Sequence, residues 1–126
     1  MTIRTKLLLV DDELDFITTL AERLRLRNYD TRVAASGEAA LDEIQKERPD
    51  IVLLDLKMPG MGGLETLKKI KADHSAIEVI MLTGQGDKQS GEAGFKAGAA
   101  DYIVKPIEIG NLMDKLLEIR GKLGLD

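Results

Sequence analysis

Apolar residues follow two rhythms along this chain. Short unbroken runs (KLLLV at Lys6 to Val10, IVLL at Ile51 to Leu54, EVIML at Glu78 to Leu82) alternate with stretches where apolar positions return every three or four residues. The runs predict strands covered on both faces, because a strand with one wet face alternates apolar and polar positions. The wider spacing predicts helices. From Asp12 to Leu26, Leu14, Ile17, Leu20, Ala21 and Leu24 share one helical face. Thr31 to Ala35 reads as a weaker second strand. Ser36 can cap a second helix that turns Ala40, Leu41 and Ile44 inward and ends before Pro49. Leu64, Leu67 and Ile70 mark a third helix, with Lys68, Lys69 and Lys71 on its wet side. A fourth, from Lys88 to Ala97, contains Gly91 and Gly94. Each glycine costs about 1 kcal/mol relative to alanine in a helix interior, so this helix is expected to be the least secure and the most mobile. Gly98 is placed to end it. Asp101 to Val104 is a fifth strand, and a last helix sets Ile109, Leu112, Met113, Leu116 and Leu117 inward. Ile119 and Leu123 extend that stripe. It reads first as a wide core-facing band and second as a surface for a dimer or partner, formed with the fourth helix and fifth strand.

Five strands alternating with five helices predict an α/β domain: a doubly wound, five-stranded parallel sheet of the flavodoxin-like kind, order 2-1-3-4-5. The 126 residues suit one domain, 1–126, around one core. No repeat or linker is visible. The net charge of −4 argues against nucleic acid as a direct partner, which needs a cationic face. With no cysteine there is no disulfide framework or thiolate metal site, which suits the cytoplasm. No apolar run approaches the ~20 residues that span a bilayer. The start, MTIRTKLLLV, leads straight into acids and reads as a folded N-terminus rather than a signal peptide. No output domain is legible after the last helix. The chain therefore reads either as a free-standing unit or as part of a longer protein.

In an open α/β sheet, ligands bind beyond the carboxyl ends of the strands, where the winding reverses. Those ends carry Asp11, Asp12 and Glu13 after strand one, Asp55 after strand three, Thr83 and Gly84 after strand four, and Lys105 and Pro106 after strand five. Each has an ordinary explanation taken singly: Asp12 as a helix cap, Asp55 and Gly84 as turn residues, Thr83 as a strand residue, Lys105 as a snorkelling cation. Those explanations leave their shared edge unaccounted for. Clustered carboxylates repel, and one stays protonated unless a cation joins them. A hard divalent ion with oxygen ligands, Mg²⁺ above all, relieves this. An aspartate can act as a nucleophile toward phosphorus, and a phosphoryl group on it would need positive charge and donors, which Lys105 and Thr83 supply.

Four stretches, VDDE at 10–13, LLDLKMPGMGG at 53–63, LTGQGD at 82–87 and KAGAADYIVKP at 96–106, together resemble the receiver domain of two-component response regulators. The resemblance spans nearly the whole chain. It implies that Asp55 accepts the phosphoryl group, and that Asp11, Asp12 and Asp55 bind Mg²⁺ with the backbone carbonyl of Lys57. It implies that Thr83 and Lys105 contact the phosphoryl group, that the Lys105–Pro106 bond is cis, and that Tyr102 is an aromatic switch coupled to Thr83. Lys57 and Gln85 fall at positions that tune phosphoryl lifetime. The implied donor is a sensor histidine kinase or phosphotransfer protein. The implied output is the face of fourth helix, fifth strand and fifth helix, with a homodimer through that face as one form. The protein would then be no enzyme beyond its own phosphorylation and dephosphorylation.

Three rival readings share this edge. A phosphatase of the haloacid dehalogenase type also uses an aspartate nucleophile and Mg²⁺, but it wants a second aspartate where this chain has Lys57. A flavin-binding module would want free backbone N–H groups where this chain has DDE. A receiver-like domain could also bind partners without phosphorylation, a reading the complete acidic set disfavours.

Overall fold

The structure is a computed structural model that describes residues 4–84 and 88–125. Its elements run in strict alternation: β1 (Lys6–Val10), α1 (Leu14–Leu26), β2 (Asp30–Ala34), α2 (Gly37–Lys46), β3 (Ile51–Asp55), α3 (Gly63–Asp73), β4 (Glu78–Thr83), α4 (Lys88–Lys96), β5 (Asp101–Val104) and α5 (Ile109–Leu123). The sheet is parallel throughout with order β2-β1-β3-β4-β5, as expected. Gln85, a proposed lifetime-tuning position, lies outside the described residues.

The unbroken apolar runs are explained by two cores. Side chains alternate across a strand. Leu7, Leu9, Ile51, Leu53, Ile80 and Leu82 therefore face Ile17, Leu20, Leu24, Leu112, Leu116 and Ile119 of α1 and α5. Leu8, Val10, Val52, Leu54, Val79 and Met81 face the other way, onto Ala40, Ile44, Leu67 and Ile70 of α2 and α3. β3 is buried along its whole length, including its terminal Asp55.

Several expectations shift. α1 begins at Leu14 rather than Asp12, with Glu13 at its N-cap position and no side-chain cap. Leu14 is 55% exposed instead of inward, and the first buried residue of α1 is Ile17. Leu117 is also exposed, at 54%, while Ile119 is buried and Leu123 packs on the same core, so the stripe of α5 is offset from the expected face. Lys71 is not on a wet face: its ammonium donates to the carbonyls of Ser75 and Ile77 and pairs with Glu78. β2 starts one residue early, at Asp30. Ser36 does cap α2, its hydroxyl accepting from the N–H of Ala39 at 3.0 Å. Gly98 ends α4 with φ of 110°. Gly94 has a packing reason of its own, since a Cβ there would stand 3.1 Å from Met81 Cγ, so the missing side chain lets α4 lie close on β4.

Candidate functional site

The sheet's register brings the polar strand ends together. Val10 pairs with Leu54, so Asp11 and Asp55 leave neighbouring strands at the same height. This is the point where β1 is flanked by β2 on one side and β3 on the other, the switch point of the winding. On the far side, Asp55 pairs with Leu82, and Thr83 with Val104, the residue before Lys105. One oxygen from each of Asp11, Asp12 and Asp55 lies within 4.8 Å of the others. Asp11 is fully buried and Asp55 is 6% exposed, whereas Asp12 is exposed. A cavity of about 420 Å³ opens over them, lined by Asp12, Glu13, Asp55, Leu56, Lys57, Gly84 and Lys105.

Close approach behind Asp55 depends on a glycine. A Cβ on Gly63, the first residue of α3, would fall 2.2 Å from the Asp55 carbonyl oxygen, so only glycine lets α3 start against the end of β3. The N–H of Gly63 donates to the Leu56 carbonyl at 3.0 Å and closes the loop between them.

Asp55 is pushed up to about 6, chiefly by burial and then by the neighbouring charge of Asp11; the Lys105 ammonium and the Lys57 N–H pull the other way. Burial opposes the charge on Lys105, but its hydrogen bond to Asp11 and the fields of Asp55 and Asp11 prevail and hold it above the ordinary lysine value. Its Nζ lies 2.6 Å from Asp11 Oδ2, 3.3 Å from Glu13 Oε1 and 3.5 Å from Asp55 Oδ1. Its backbone N–H donates to the Thr83 carbonyl at 2.7 Å, and the Lys105–Pro106 bond is cis. An all-oxygen set of three carboxylates is what a hard cation takes, and the charge of Asp11 adds to the burial that raises Asp55. The acidic pocket fits such an ion.

The response regulator receiver domain model matches residues 7–117. This chain belongs to that family. The receiver domain works as a phosphorylation-activated switch in two-component signalling, partnered by histidine kinases or phosphotransfer proteins. Sporulation initiation phosphotransferase F of Bacillus subtilis is 40% identical over 109 residues, covering 86% of this chain and 88% of that protein. DNA-binding response regulator MtrA of Mycobacterium tuberculosis is 37% identical over 115 residues; the match covers 91% of this chain but 50% of MtrA. Among solved structures, the receiver domain of NtrX from Brucella abortus superposes with a TM-score of 0.86 at 31% identity, covering 90% of this chain and 96% of that one.

Of the residues singled out in the sequence, Asp11, Asp12, Asp55 and Lys105 meet at one site of this receiver domain, and Lys57 and Gly84 line its cavity. Thr83 is buried, 2% exposed, and is not part of the cavity wall. Tyr102 is half-buried, packs on the core cluster that holds Met81 and Ala99, and meets Phe95 edge-on at 5.4 Å. Asp12 caps nothing; the N–H of Glu13 is taken instead by Asp11 Oδ1 at 3.0 Å. The sequence reading missed Phe16, whose ring lies 4.9 Å from Lys105 Nζ, and the pairing of Glu13 with Lys105. Glu13 and Phe16 stand three apart at the start of α1, a spacing that puts them on one side of a helix, so the signal was present. Their meeting with Lys105, 92 residues from Glu13, was not. Among the described residues, no helix is long and apolar enough to cross a membrane.

Proposed function

We propose that Asp55 is the residue phosphorylated in this receiver domain. An oxygen of its carboxylate attacks the phosphorus of a phosphohistidine, the P–N bond breaks, and the aspartyl phosphate that results is later hydrolysed by water. The observation that carries this is the placement of Asp55: buried, raised to about 6, and at the end of a fully buried strand, yet lining the open cavity. Such a carboxylate is held in one position, and its charge is poorly solvated, which favours a nucleophile. Mg²⁺ would be held by Asp11, Asp12, Asp55 and the backbone carbonyl of Lys57, and it would neutralise charge on the phosphoryl oxygens. Lys105 would form an ion pair with the same group, and Thr83 would donate its hydroxyl to it. Lys57 and Gln85 would tune the lifetime. The donor comes from another protein, because His74, the one histidine of the chain, follows the last turn of α3. That is the end of the helix away from the strand carboxyl termini.

The receiver unit is read as the whole chain, 1–126, since α5 continues to Leu123 and packs it on the core. Its setting is the cytoplasm, where kinases of this class deliver phosphoryl groups. The output face is read as α4-β5-α5, with Tyr102 turning inward as Thr83 moves. Three of the large apolar residues left exposed, Phe95, Val104 and Leu117, belong to these elements. A homodimer through that face would cover them. Sedimentation with beryllofluoride and Mg²⁺ is expected to shift toward the dimer; an unchanged monomer at high concentration removes the dimer. The central test is intact mass after incubation with acetyl phosphate and Mg²⁺. The parent should gain one phosphoryl group and Asp55→Asn none. A folded parent that gains nothing, or an Asp55→Asn variant that gains as much, overturns the assignment.

A further inference from the structure

Lys105 is held from more sides than an ion pair with a phosphoryl group requires. Besides Asp11 and Asp55, its ammonium donates to Glu13 Oε1 at 3.3 Å and lies 4.9 Å from the centroid of the Phe16 ring. Two of these partners belong to the acidic cluster. A carboxylate drawn onto a divalent cation has less charge left for a lysine. Glu13 and Phe16 then remain. The Glu13 side chain is 66% exposed, so its hold is weakened by water and salt. The Phe16 ring attracts a cation through its quadrupole, does not titrate, and competes for neither metal nor phosphoryl group.

The surroundings make such a hold necessary. Glu13, Phe16, Lys105, Pro106 and Ile107 line a second hollow of about 420 Å³. A lysine chain with four rotatable bonds and no anchor has room to swing into it, away from Asp55.

We propose that Phe16 is a positioning residue for phosphoryl transfer: its ring face is the seat that keeps the Lys105 ammonium beside Asp55 once Asp11 is engaged by the metal. The proposal rests on the assignment of Asp55 as phosphoacceptor. The test follows phosphorylation by acetyl phosphate, which needs no partner surface, by intact mass at saturating Mg²⁺. It compares the parent, Phe16→Leu, Phe16→Tyr, and a protein with 3,4,5-trifluorophenylalanine at position 16. The trifluorinated ring keeps the shape of Phe16 and removes most of the negative charge from its face, so a change in it is not a folding defect. Loss of a partly desolvated cation–π contact should slow Phe16→Leu and the trifluoro protein by about three- to tenfold, leave Phe16→Tyr within about twofold of the parent, and have no further effect in a Lys105→Met background. Parent-like rates in both Phe16→Leu and the trifluoro protein overturn the seat while leaving Asp55 in place. So does an equal slowing by Phe16→Leu with Lys105 absent. A parent that takes up no phosphoryl group overturns both.

Discussion

Asp55 carries a conflict between charge and burial that makes its behaviour predictable. Its value in the folded protein is about 6, against 3.8 unperturbed. For a carboxyl raised on folding, the native state binds its proton more tightly than the unfolded chain does. The advantage is full below the unfolded value and is lost as pH rises through the folded one. Without divalent cation, the protein should therefore lose about 2 kcal/mol from this group between pH 4 and pH 7. Asp55→Asn, which cannot ionise, should escape part of that loss, since it also gives up the attraction of Lys105. Denaturant titrations with chelator should find the variant more stable than the parent by about 1–2 kcal/mol at pH 7.5, with the gap narrowing toward pH 4.5. A parent that is the more stable of the two at pH 7.5 would mean that Lys105 compensates the buried charge completely.

Helices are placed here by close backbone approach as much as by apolar stripes. α3 starts against β3 because Gly63 has no side chain, and α4 lies on β4 because Gly94 has none. Gly63→Ala would put a methyl group 2.2 Å from the Asp55 carbonyl oxygen, so backbone must move. Overpacking of this kind costs about 1–3 kcal/mol, measurable by denaturant unfolding. Because the displaced atom belongs to Asp55, the folded variant should also take up phosphoryl from acetyl phosphate more slowly than the parent. Gly94→Ala presses a side chain, Met81, which is flexible and can yield. Its cost should be smaller, and its phosphorylation rate should match the parent's. Gly94 thus trades helix propensity for contact with the sheet. Weakness judged from composition alone overlooks that gain.

For the molecule as a whole, the proposed role of the acidic pocket would couple cation, proton and phosphoryl group. A cation that binds only the folded state stabilises it by about 2.7 kcal/mol at a hundred times its dissociation constant. Protons compete for Asp55 near its value of about 6, so Mg²⁺ should raise the unfolding midpoint more at pH 7.5 than at pH 5. Calorimetry at the two pH values checks this, and equal shifts would place the cation elsewhere. Phosphorylation adds charge-assisted hydrogen bonds of about 1.5–3 kcal/mol each. Two of them come close to the roughly 5.5 kcal/mol that inverts a 1:99 population. A switch operating at that margin depends on each donor, which is why the position of Lys105 matters.

The apolar runs, the helical spacings and the polar strand ends determined the α/β architecture and the membership of the acidic pocket, because each strand's last residue is carried by the sheet to a common edge. Local pattern does not contain relations between distant segments. Which face α5 presents, how Lys71 is spent, why Gly63 and Gly94 are glycine, and that Glu13 and Phe16 meet Lys105 were decided only when the helices docked. Docking settles distances of an ångström or less, and those distances decide which side chain touches which.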